Sequence, residues 1–289
     1  MSRLALGTVQ FGLPYGIANR AGQVSRSEAK AMLQLAAIKS IDTLDTAISY
    51  GDSETCLGEP GTQDFKVVTK LPAVPNDCEN VSTWVTQQVN ASLARMNITC
   101  VYGLLLHRSA QLLDANGAEL YRALQVLKDS GQVQKLGVSI YSPSELDVLM
   151  PQYHFDLVQA PFNLVDQRLY RSGWMQRLKD YGVEVHTRSV FLQGLLLMAQ
   201  ADIPAKFLPW NELWNSWHRW LANHDTSAVE ACLAFPLSYH EIDRVVVGAD
   251  NVKQLNQITD AASGKAINDL PDLESKDEAL INPAHWTKL

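Results

Sequence analysis

Short apolar strands alternate with helical segments along the whole chain, and this alternation is the feature that most constrains the fold. The predicted strands are residues 4–7, 40–44, 65–70, 101–107, 135–139, 157–160, 183–189 and 245–248. Most are apolar at nearly every position, which is typical of strands buried on both faces of a parallel sheet. Eight strand–helix units in 289 residues predict a single-domain α/β fold over residues 1–289, a (β/α)8 TIM barrel.

An open, doubly wound sheet is the alternative for the same alternation of strands and helices. That architecture commonly carries a Gly-x-Gly-x-x-Gly turn directly after its first strand, where the turn approaches a dinucleotide. The loop after residues 4–7 is rich in glycine and proline but has no such spacing. The barrel is therefore favoured over the open sheet.

Two segments depart from the regular alternation of strand and helix. Residues 195–226 form a long helical insertion between the seventh and eighth predicted strands, and its tryptophans at 210, 214, 217 and 220 recur at helical spacing. The spacing favours a helix that packs its apolar face on the barrel, with an aromatic pocket wall as the alternative. The tail, residues 266–289, has weak periodicity, and we expect this C-terminal segment to run over a rim of the barrel.

Charge and composition exclude several classes of partner. The net charge is −7 and the isoelectric point is about 5.5. The sequence contains no run of Lys or Arg, so it does not predict a nucleic-acid-binding surface. No apolar window is long enough to span a bilayer and no signal segment precedes the first strand, so we expect a cytoplasmic protein. The four cysteines (Cys56, Cys78, Cys100 and Cys232) lie far apart and indicate neither a disulfide framework nor a zinc site.

Polar side chains stand at the carboxyl ends of several predicted strands. Asp45 and Tyr50 follow the second strand, Lys70 ends the third, and His107 ends the fourth. Further polar residues of this kind are Ser139, Gln159 and Arg188 on the next three strands. The carboxyl ends of barrel strands meet at one mouth, where active sites of this fold lie. A metal site built from His107 and His186 is less favoured, because no third ligand has suitable spacing.

The order of these motifs resembles the aldo-keto reductase family. The matching stretches are Asp-Thr-Ala-x-x-Tyr-Gly-x-Ser-Glu at 45–54, Thr-Lys at 69–70, Leu-Leu-Leu-His at 104–107 and Gly-Val-Ser at 137–139. The resemblance implies that Asp45, Tyr50, Lys70 and His107 are a catalytic tetrad. It also implies a small-molecule carbonyl substrate that is reduced by hydride from a nicotinamide cofactor.

The chemistry of that reaction suits the four residue types. Hydride addition to a carbonyl leaves an alkoxide that needs a proton, and a free tyrosine with a pKa near ~10 is a suitable acid. The Lys70 ammonium would stabilise the Tyr50 phenolate, and Asp45 would keep that ammonium charged. His107 would donate a hydrogen bond to the carbonyl oxygen and polarise it.

The resemblance also implies a set of cofactor-binding residues. Ser139 and Gln159 match positions that hold the nicotinamide carboxamide, whereas Ile140 replaces the asparagine that usually follows Gly-Val-Ser. Arg188 stands where many members stack a tyrosine on the nicotinamide, and its planar guanidinium can also stack on a ring. The remaining expected contacts are Gly7, Thr8, Ser189, Leu192, Gly194, Gly248, Ala249, Asn251 and Gln254, the last four in a turn that resembles a phosphate-binding helix start.

Cofactor preference depends on the charge beside the adenosine ribose. A 2′-phosphate prefers Arg or Lys; Asp250 opposes it and Lys253 favours it, while Gln254 stands where some members have arginine. The resemblance favours NADP (NADPH), with NAD as the other candidate. The stretch 188–196, Arg-Ser-Val-Phe-Leu-Gln-Gly-Leu-Leu, resembles a bacterial branch associated with surface-polysaccharide sugar metabolism, which implies a sugar carbonyl as substrate.

Two other functions are compatible with the same barrel. One is a non-catalytic scaffold that senses nicotinamide cofactor and docks on a partner. The other is a different barrel enzyme, such as an isomerase or a metal-dependent hydrolase. An intact tetrad favours the reductase over both.

Overall fold

The computed structural model describes residues 2–264, 267 and 269–288. Its centre is a closed barrel of eight parallel strands in chain order, with β1 paired to both β2 and β8. The strands are β1 Leu4–Gly7, β2 Thr43–Asp45, β3 Lys66–Leu71, β4 Val101–Leu106, β5 Val133–Ser139, β6 Leu157–Pro161, β7 Glu184–Arg188 and β8 Arg244–Gly248. The (β/α)8 barrel predicted from the sequence is confirmed.

Helices surround the barrel and cover the outer faces of its strands. The α-helices are α1 Val9–Gly12, α2 Arg26–Ile38, α3 Ser53–Gly58, α4 Val81–Met96, α5 Gly117–Asp129, α6 Ser144–Leu149, α7 Arg168–Arg171, α8 Trp174–Asp180, α9 Asn211–His224, α10 Ala228–Leu237, α11 Val252–Ala262 and α12 Glu278–Ile281. Short 3-10 helices are Ser109–Leu113, Leu192–Leu197, Gln200–Asp202, Ala205–Trp210 and Pro283–Lys288. The large hydrophobic core lies between the helices and the strands.

Along its axis, the inside of the barrel has polar side chains at both ends and apolar side chains between them. A small apolar cluster of Val68, Leu105 and Leu157 fills its middle. Towards the amino ends of the strands, Glu184 accepts hydrogen bonds from Tyr102 and Lys135. The carboxyl ends of the strands carry the polar side chains of the mouth, so the apolar layer separates two polar ends.

The segment between β7 and β8 differs from the single insertion that the sequence predicted. Three 3-10 helices and α9 are followed by α10, a helix that the sequence pattern did not predict. Ser227 caps α10 by accepting from the Glu230 N–H, and the Glu230 carboxylate accepts from the Ser227 N–H in return. In the sequence, the spacing Ser-x-x-Glu at 227–230 is the pattern that indicates this capping box.

Two tryptophans of α9 pack their side chains into the protein interior, as the favoured interpretation of their spacing predicted. Trp214 and Trp217 are fully buried, and their indole N–H groups donate to the carbonyls of Phe207 at 2.8 Å and Leu196 at 3.0 Å.

The C-terminal tail also lies where it was expected, because the Ser275 N–H donates to the Val165 carbonyl on the rim after β6. Residues 266, 268 and 289 of that predicted tail lie outside the described residues.

Candidate active site

The mouth of the barrel brings the four predicted catalytic side chains together. Asp45 ends β2, Lys70 lies in β3, His107 follows β4, and Tyr50 lies in the turn that precedes α3. The Tyr50 and His107 ring centroids are 5.8 Å apart in a T-shaped arrangement. The Lys70 Nζ lies 5.1 Å from the centre of the Tyr50 ring. A phenol, an ammonium, a carboxylate and an imidazole therefore share one site.

Lys70 and Asp45 form a buried ion pair. The Lys70 Nζ lies 2.7 Å from Asp45 Oδ1, and their side chains are only 1% and 7% exposed. The ammonium also donates to the Thr46 carbonyl at 2.9 Å, and the Gln159 amide donates to Asp45 Oδ2 at 2.6 Å. Burial works to lower the pKa of Lys70, but attraction by Asp45 and by Tyr50 outweighs it and raises that pKa. Lys70 thus stays a cation beside the Tyr50 ring.

His107 is neutral at physiological pH. Burial lowers the pKa of its imidazole to about 4, and repulsion by Lys70 and Arg188 acts in the same direction, against attraction by Asp45. The Ser49 hydroxyl lies 3.3 Å from His107 Nδ1. When that hydroxyl donates, the ring proton is on Nε2, which leaves Nε2 as an uncharged hydrogen-bond donor.

The turn that carries Tyr50 is fixed by close backbone contact. A Cβ on Gly12 would lie 1.7 Å from the Tyr50 carbonyl oxygen, so the position admits only glycine. Gly51 has φ +52°, a left-handed conformation that glycine adopts without strain. Ser53, which is fully buried, donates from its hydroxyl to the Thr8 carbonyl at 2.8 Å. The loop after β1 and the turn after β2 are therefore held as one unit.

The glutamate that ends the motif at 45–54 anchors α3. Glu54 is 1% exposed and its Oε1 accepts from the hydroxyls of Thr69 at 2.8 Å and Ser92 at 2.6 Å. Its Oε2 accepts two bonds from the Arg95 guanidinium, at 2.9 and 2.6 Å. Two charge-assisted hydrogen bonds from one guanidinium fix the position of this oxygen. Glu54 thus ties the Tyr50 turn to β3 and α4.

The predicted carboxamide-binding residues lie next to Asp45. The Ser139 hydroxyl is 3.4 Å from Gln159 Oε1, and both side chains are buried. Thr8 is also buried, and its hydroxyl donates to the Asp45 carbonyl at 3.0 Å, while Gly7 is the last residue of β1. Ser139, Gln159 and Thr8 thus all belong to the hydrogen-bonded surroundings of Asp45.

Arg188 reaches across the mouth from the end of β7. Its guanidinium donates to the Ile140 carbonyl at 3.0 Å and to the Ser189 hydroxyl at 3.3 Å. The guanidinium carbon lies 4.7 Å from the centre of the Tyr141 ring. Tyr141 was not predicted as a site residue, and its only sequence signal is an aromatic side chain two residues after Ser139.

The loop after β7 has an unusual backbone and contacts the loop after β1. Positive φ values occur at Ser189 (63°), Leu192 (47°), Gln193 (54°) and Gly194 (91°). Such conformations are strained for residues other than glycine and cluster at functional sites. A Cβ on Gly194 would lie 2.6 Å from the Ala18 Cβ, and the Ile17 N–H donates to the Gln193 carbonyl at 3.1 Å. Leu192, in the same loop, is fully buried.

The turn after β8 meets Gln10, a second residue that the sequence did not single out. A Cβ on Gly248 would lie 2.5 Å from Gln10 Nε2, so a side chain there would displace the amide. Gln10 is 8% exposed, and its Oε1 has no hydrogen-bond partner among the described residues. Ala249, the next residue of the turn, is buried.

Asn251 and Gln254 bond to the turn itself. Asn251 is the N-cap of α11, and its side chain accepts from the Gln254 N–H at 2.9 Å. Gln254 Oε1 accepts from the Asp250 N–H at 2.8 Å. Both predicted cofactor residues thus stabilise the start of α11.

A metal centre has no ligand set within the part of the chain that the structure describes. No group of three or more His, Cys, Asp or Glu side chains there is placed to hold an ion. His186 lies inside the barrel, and its Nε2 is 2.8 Å from Glu184 Oε1. Over the same residues, no helix has both the length and the apolar character that a membrane crossing requires.

Comparison with known proteins identifies the family. The family model described as "Aldo/keto reductase family" matches residues 3–274, and the chain belongs to that family. The uncharacterized oxidoreductase YqkF of Bacillus subtilis (strain 168) is 22% identical over 99% of this chain and 95% of its own length. The 6-dehydroglucose reductase of Agrobacterium fabrum (strain C58) is 31% identical over 62% of this chain and 65% of its own length.

Among solved structures, the aldo-keto reductase AKR11C1 from Bacillus halodurans, in its holo form, has the same fold. It superposes with a TM-score of 0.74 at 19% sequence identity. The superposition covers 92% of this chain and 88% of that protein. At this level of identity the likeness concerns the fold.

Proposed function

We propose that this protein is a nicotinamide-dependent oxidoreductase that reduces an aldehyde or ketone to an alcohol, with Tyr50 as the proton donor. One observation carries the proposal: a fully buried Lys70, paired with Asp45 at 2.7 Å, lies 5.1 Å from the centre of the Tyr50 ring. The Asp45 carboxylate keeps the buried Lys70 ammonium charged, and that charge stabilises the negative oxygen of a phenol that has released its proton.

The proton transfer follows from the charges at the mouth. An ammonium near a phenol stabilises the negative charge that the oxygen carries once its proton has left. Tyr50 would therefore give its hydroxyl proton to the alkoxide that forms from the carbonyl. His107, neutral because burial and two cations lower its pKa to about 4, would donate from its single N–H to the same oxygen. Asp45 holds Lys70 in place and in its charged form.

The residues present fit a nicotinamide dinucleotide, which would supply the hydride when bound. The Gln10 amide lies against Gly248, where a Cβ would displace it, and the buried Gln10 Oε1 has no hydrogen-bond partner among the described residues. Ser139 and Gln159 offer hydroxyl and amide groups next to Asp45, as a carboxamide requires. Arg188 presents a planar cation at the rim. We propose these residues, with Gly7, Thr8, Ser189 and the loops after β7 and β8, as the groups that hold it.

A sugar carbonyl is the substrate class we propose. The Agrobacterium relative named 6-dehydroglucose reductase supports it at 31% identity over 62% of this chain. The residues 188–196 support the same class through their resemblance to sugar-related members. An oxidised hexose therefore belongs in any substrate panel, beside simple aldehydes and ketones.

The test is carbonyl-dependent oxidation of NADPH and NADH, followed by loss of absorbance. The panel contains aliphatic and aryl aldehydes, ketones and oxidised sugars. We expect turnover by the wild type and a loss of about 10²- to 10⁴-fold for Tyr50→Phe, the usual contribution of a general acid. Tyr181→Phe, which changes an exposed tyrosine after α8, is the matched control and should keep full activity.

Three results would contradict the proposal. Tight cofactor binding without turnover on any carbonyl would favour a sensor. Activity that needs no cofactor, or that a chelator abolishes, would indicate a different barrel enzyme. Full activity of Tyr50→Phe would remove Tyr50 from the reaction.

A further inference from the structure

A carboxylate of the protein lies at the amino end of α11. The Glu28 Oε1, from the first turn of α2, accepts from the Val252 N–H at 2.7 Å. The Gln254 N–H donates to Asn251 Oδ1, and the Asp250 N–H donates to Gln254 Oε1. Three backbone donors of this turn are therefore satisfied by the chain's own acceptors.

The position matters because helix amino ends attract anions through free N–H groups and the helix dipole. Barrels of this class frequently bind phosphate at the loops after strands seven and eight. Here the Glu28 carboxylate accepts the hydrogen bond from the Val252 N–H, a group that a phosphate bound at this helix start would otherwise use. Gln10 Oε1 is buried beside Gly248, at the start of the same turn, and has no hydrogen-bond partner in the part of the chain that the structure describes. This indicates that a ligand with a hydrogen-bond donor completes the turn.

A second carboxylate reinforces the negative charge of this turn. Asp250 Oδ1 accepts from the Asn19 amide at 3.3 Å, and Oδ2 accepts from the Gln254 amide at 3.4 Å. These partners are neutral and do not offset the charge of Asp250. Lys253, the residue expected from the sequence to favour a 2′-phosphate, has an exposed side chain.

We propose that this turn accepts an adenosine ribose with a free 2′-hydroxyl and rejects a 2′-phosphate, with Glu28 as the specificity-determining residue. The protein accordingly prefers NADH to NADPH, the reverse of the preference that the sequence resemblance favoured. A carboxylate accepts hydrogen bonds from ribose hydroxyls in dinucleotide sites, and a phosphate of charge about −1.5 to −2 is repelled by it. The inference rests on the proposed nicotinamide-dependent function.

Dissociation constants for NADH and NADPH, measured by fluorescence titration without substrate, test the inference. Glu28→Gln keeps an oxygen that accepts from the Val252 N–H but removes the charge. We expect the wild type to bind NADH about tenfold or more tightly than NADPH. We expect Glu28→Gln to bind NADPH about tenfold more tightly than the wild type does, since removing one unit charge beside a doubly charged phosphate in water changes affinity by about this factor.

The matched control is Glu119→Gln. Glu119 lies in the first turn of α5, and its carboxylate accepts from the Ser82 N–H in the first turn of α4 at 3.4 Å, so it resembles Glu28 in reaching from one helix to the start of another. This variant should leave both constants unchanged. Asp250→Asn provides a second measurement and should shift the preference in the same direction as Glu28→Gln, including if Glu28→Gln proves unstable.

The outcomes separate the inference from the function on which it rests. Tighter binding of NADPH by the wild type, or an unchanged preference in a folded Glu28→Gln variant, overturns the inference and leaves the reductase proposal standing. If Glu28→Gln does not fold, an unchanged preference in Asp250→Asn overturns it. Failure of both cofactors to bind below millimolar concentration overturns the proposed function itself.

Discussion

Asp45→Asn isolates the ion pair at the mouth, because it removes a charge and keeps the size of the side chain. Lys70, with a side chain 1% exposed, would retain the Thr46 carbonyl at 2.9 Å but lose its only carboxylate partner among the described residues. Removing one partner of a buried ion pair usually destabilises a protein by about 3–5 kcal/mol. We expect the variant to lose about 3 kcal/mol of unfolding free energy near neutral pH.

The pH dependence of this loss distinguishes it from a simple packing defect. In the wild type, the pKa of Lys70 is raised above its ordinary value of 10.5, so the stabilisation is complete below that pH and is lost only above it. In the variant, burial acts without Asp45 and lowers the pKa of folded Lys70 below that of the unfolded chain. Folded Lys70 then releases its proton first, and the variant regains stability as the pH rises.

Urea unfolding followed by tryptophan fluorescence measures this difference at about pH 6.5, 8 and 9.5. Asp42→Asn is the control, because Asp42 contacts Lys66 at 3.2 Å and Arg244 at 3.0 Å at the opposite end of the barrel, where it is partly exposed. We expect the control to lose about 1 kcal/mol at all three values. Equal, pH-independent losses in both variants would refute the argument that Asp45 keeps Lys70 charged.

Three further predictions follow from the geometry. His107 has a pKa of about 4 against 6.5 in the unfolded chain, so wild-type stability should fall by up to about 3 kcal/mol as the pH drops from 6.5 through 4, at about 1.4 kcal/mol per unit. His107→Gln should flatten this slope in urea unfolding, and parallel slopes would contradict it. Arg188→Met removes one of the cations that repel protonated His107 and should raise the pKa of His107 in an NMR titration; an unchanged or lower value would contradict the assignment. Ser227→Ala removes the cap that accepts from the Glu230 N–H and should lower stability by about 1 kcal/mol, whereas unchanged unfolding would show that the cap is not needed.

The barrel and the grouping of its mouth residues follow from the sequence because both depend on order along the chain. Parallel strands place their carboxyl ends on one side, so Asp45, Lys70 and His107 must share a mouth once the strands are located. Tyr50 follows because a short turn after β2 cannot carry it far. These four positions needed no knowledge of side-chain contacts.

Contacts between distant parts of the chain did not follow from the sequence. Gln159 bonds to Asp45 across 114 positions, and Glu28 bonds to Val252 across 224. Hydrophobic periodicity indicates which face of a helix or strand is buried, but it does not indicate which polar side chains form hydrogen bonds with each other. Their pairing depends on the register and the loop paths of the closed barrel.

The missed helix α10 has a different cause. Its sequence, Ala-Val-Glu-Ala-Cys-Leu-Ala-Phe-Pro-Leu, is apolar on nearly every side, so it shows no helical period. A helix of this kind is buried all round, and only its cap marks its start. The Ser227 to Glu230 spacing was the one available signal.

Hydride transfer to a carbonyl at this mouth is measured most directly with NADH or NADPH that carries deuterium at both C4 positions. The wild type is given an aldehyde or oxidised sugar that it turns over, and the alcohol is examined by mass spectrometry. We expect one deuterium on the former carbonyl carbon of the product. Alcohol that forms without the label, or that forms in the absence of cofactor, would contradict nicotinamide-dependent reduction by this protein.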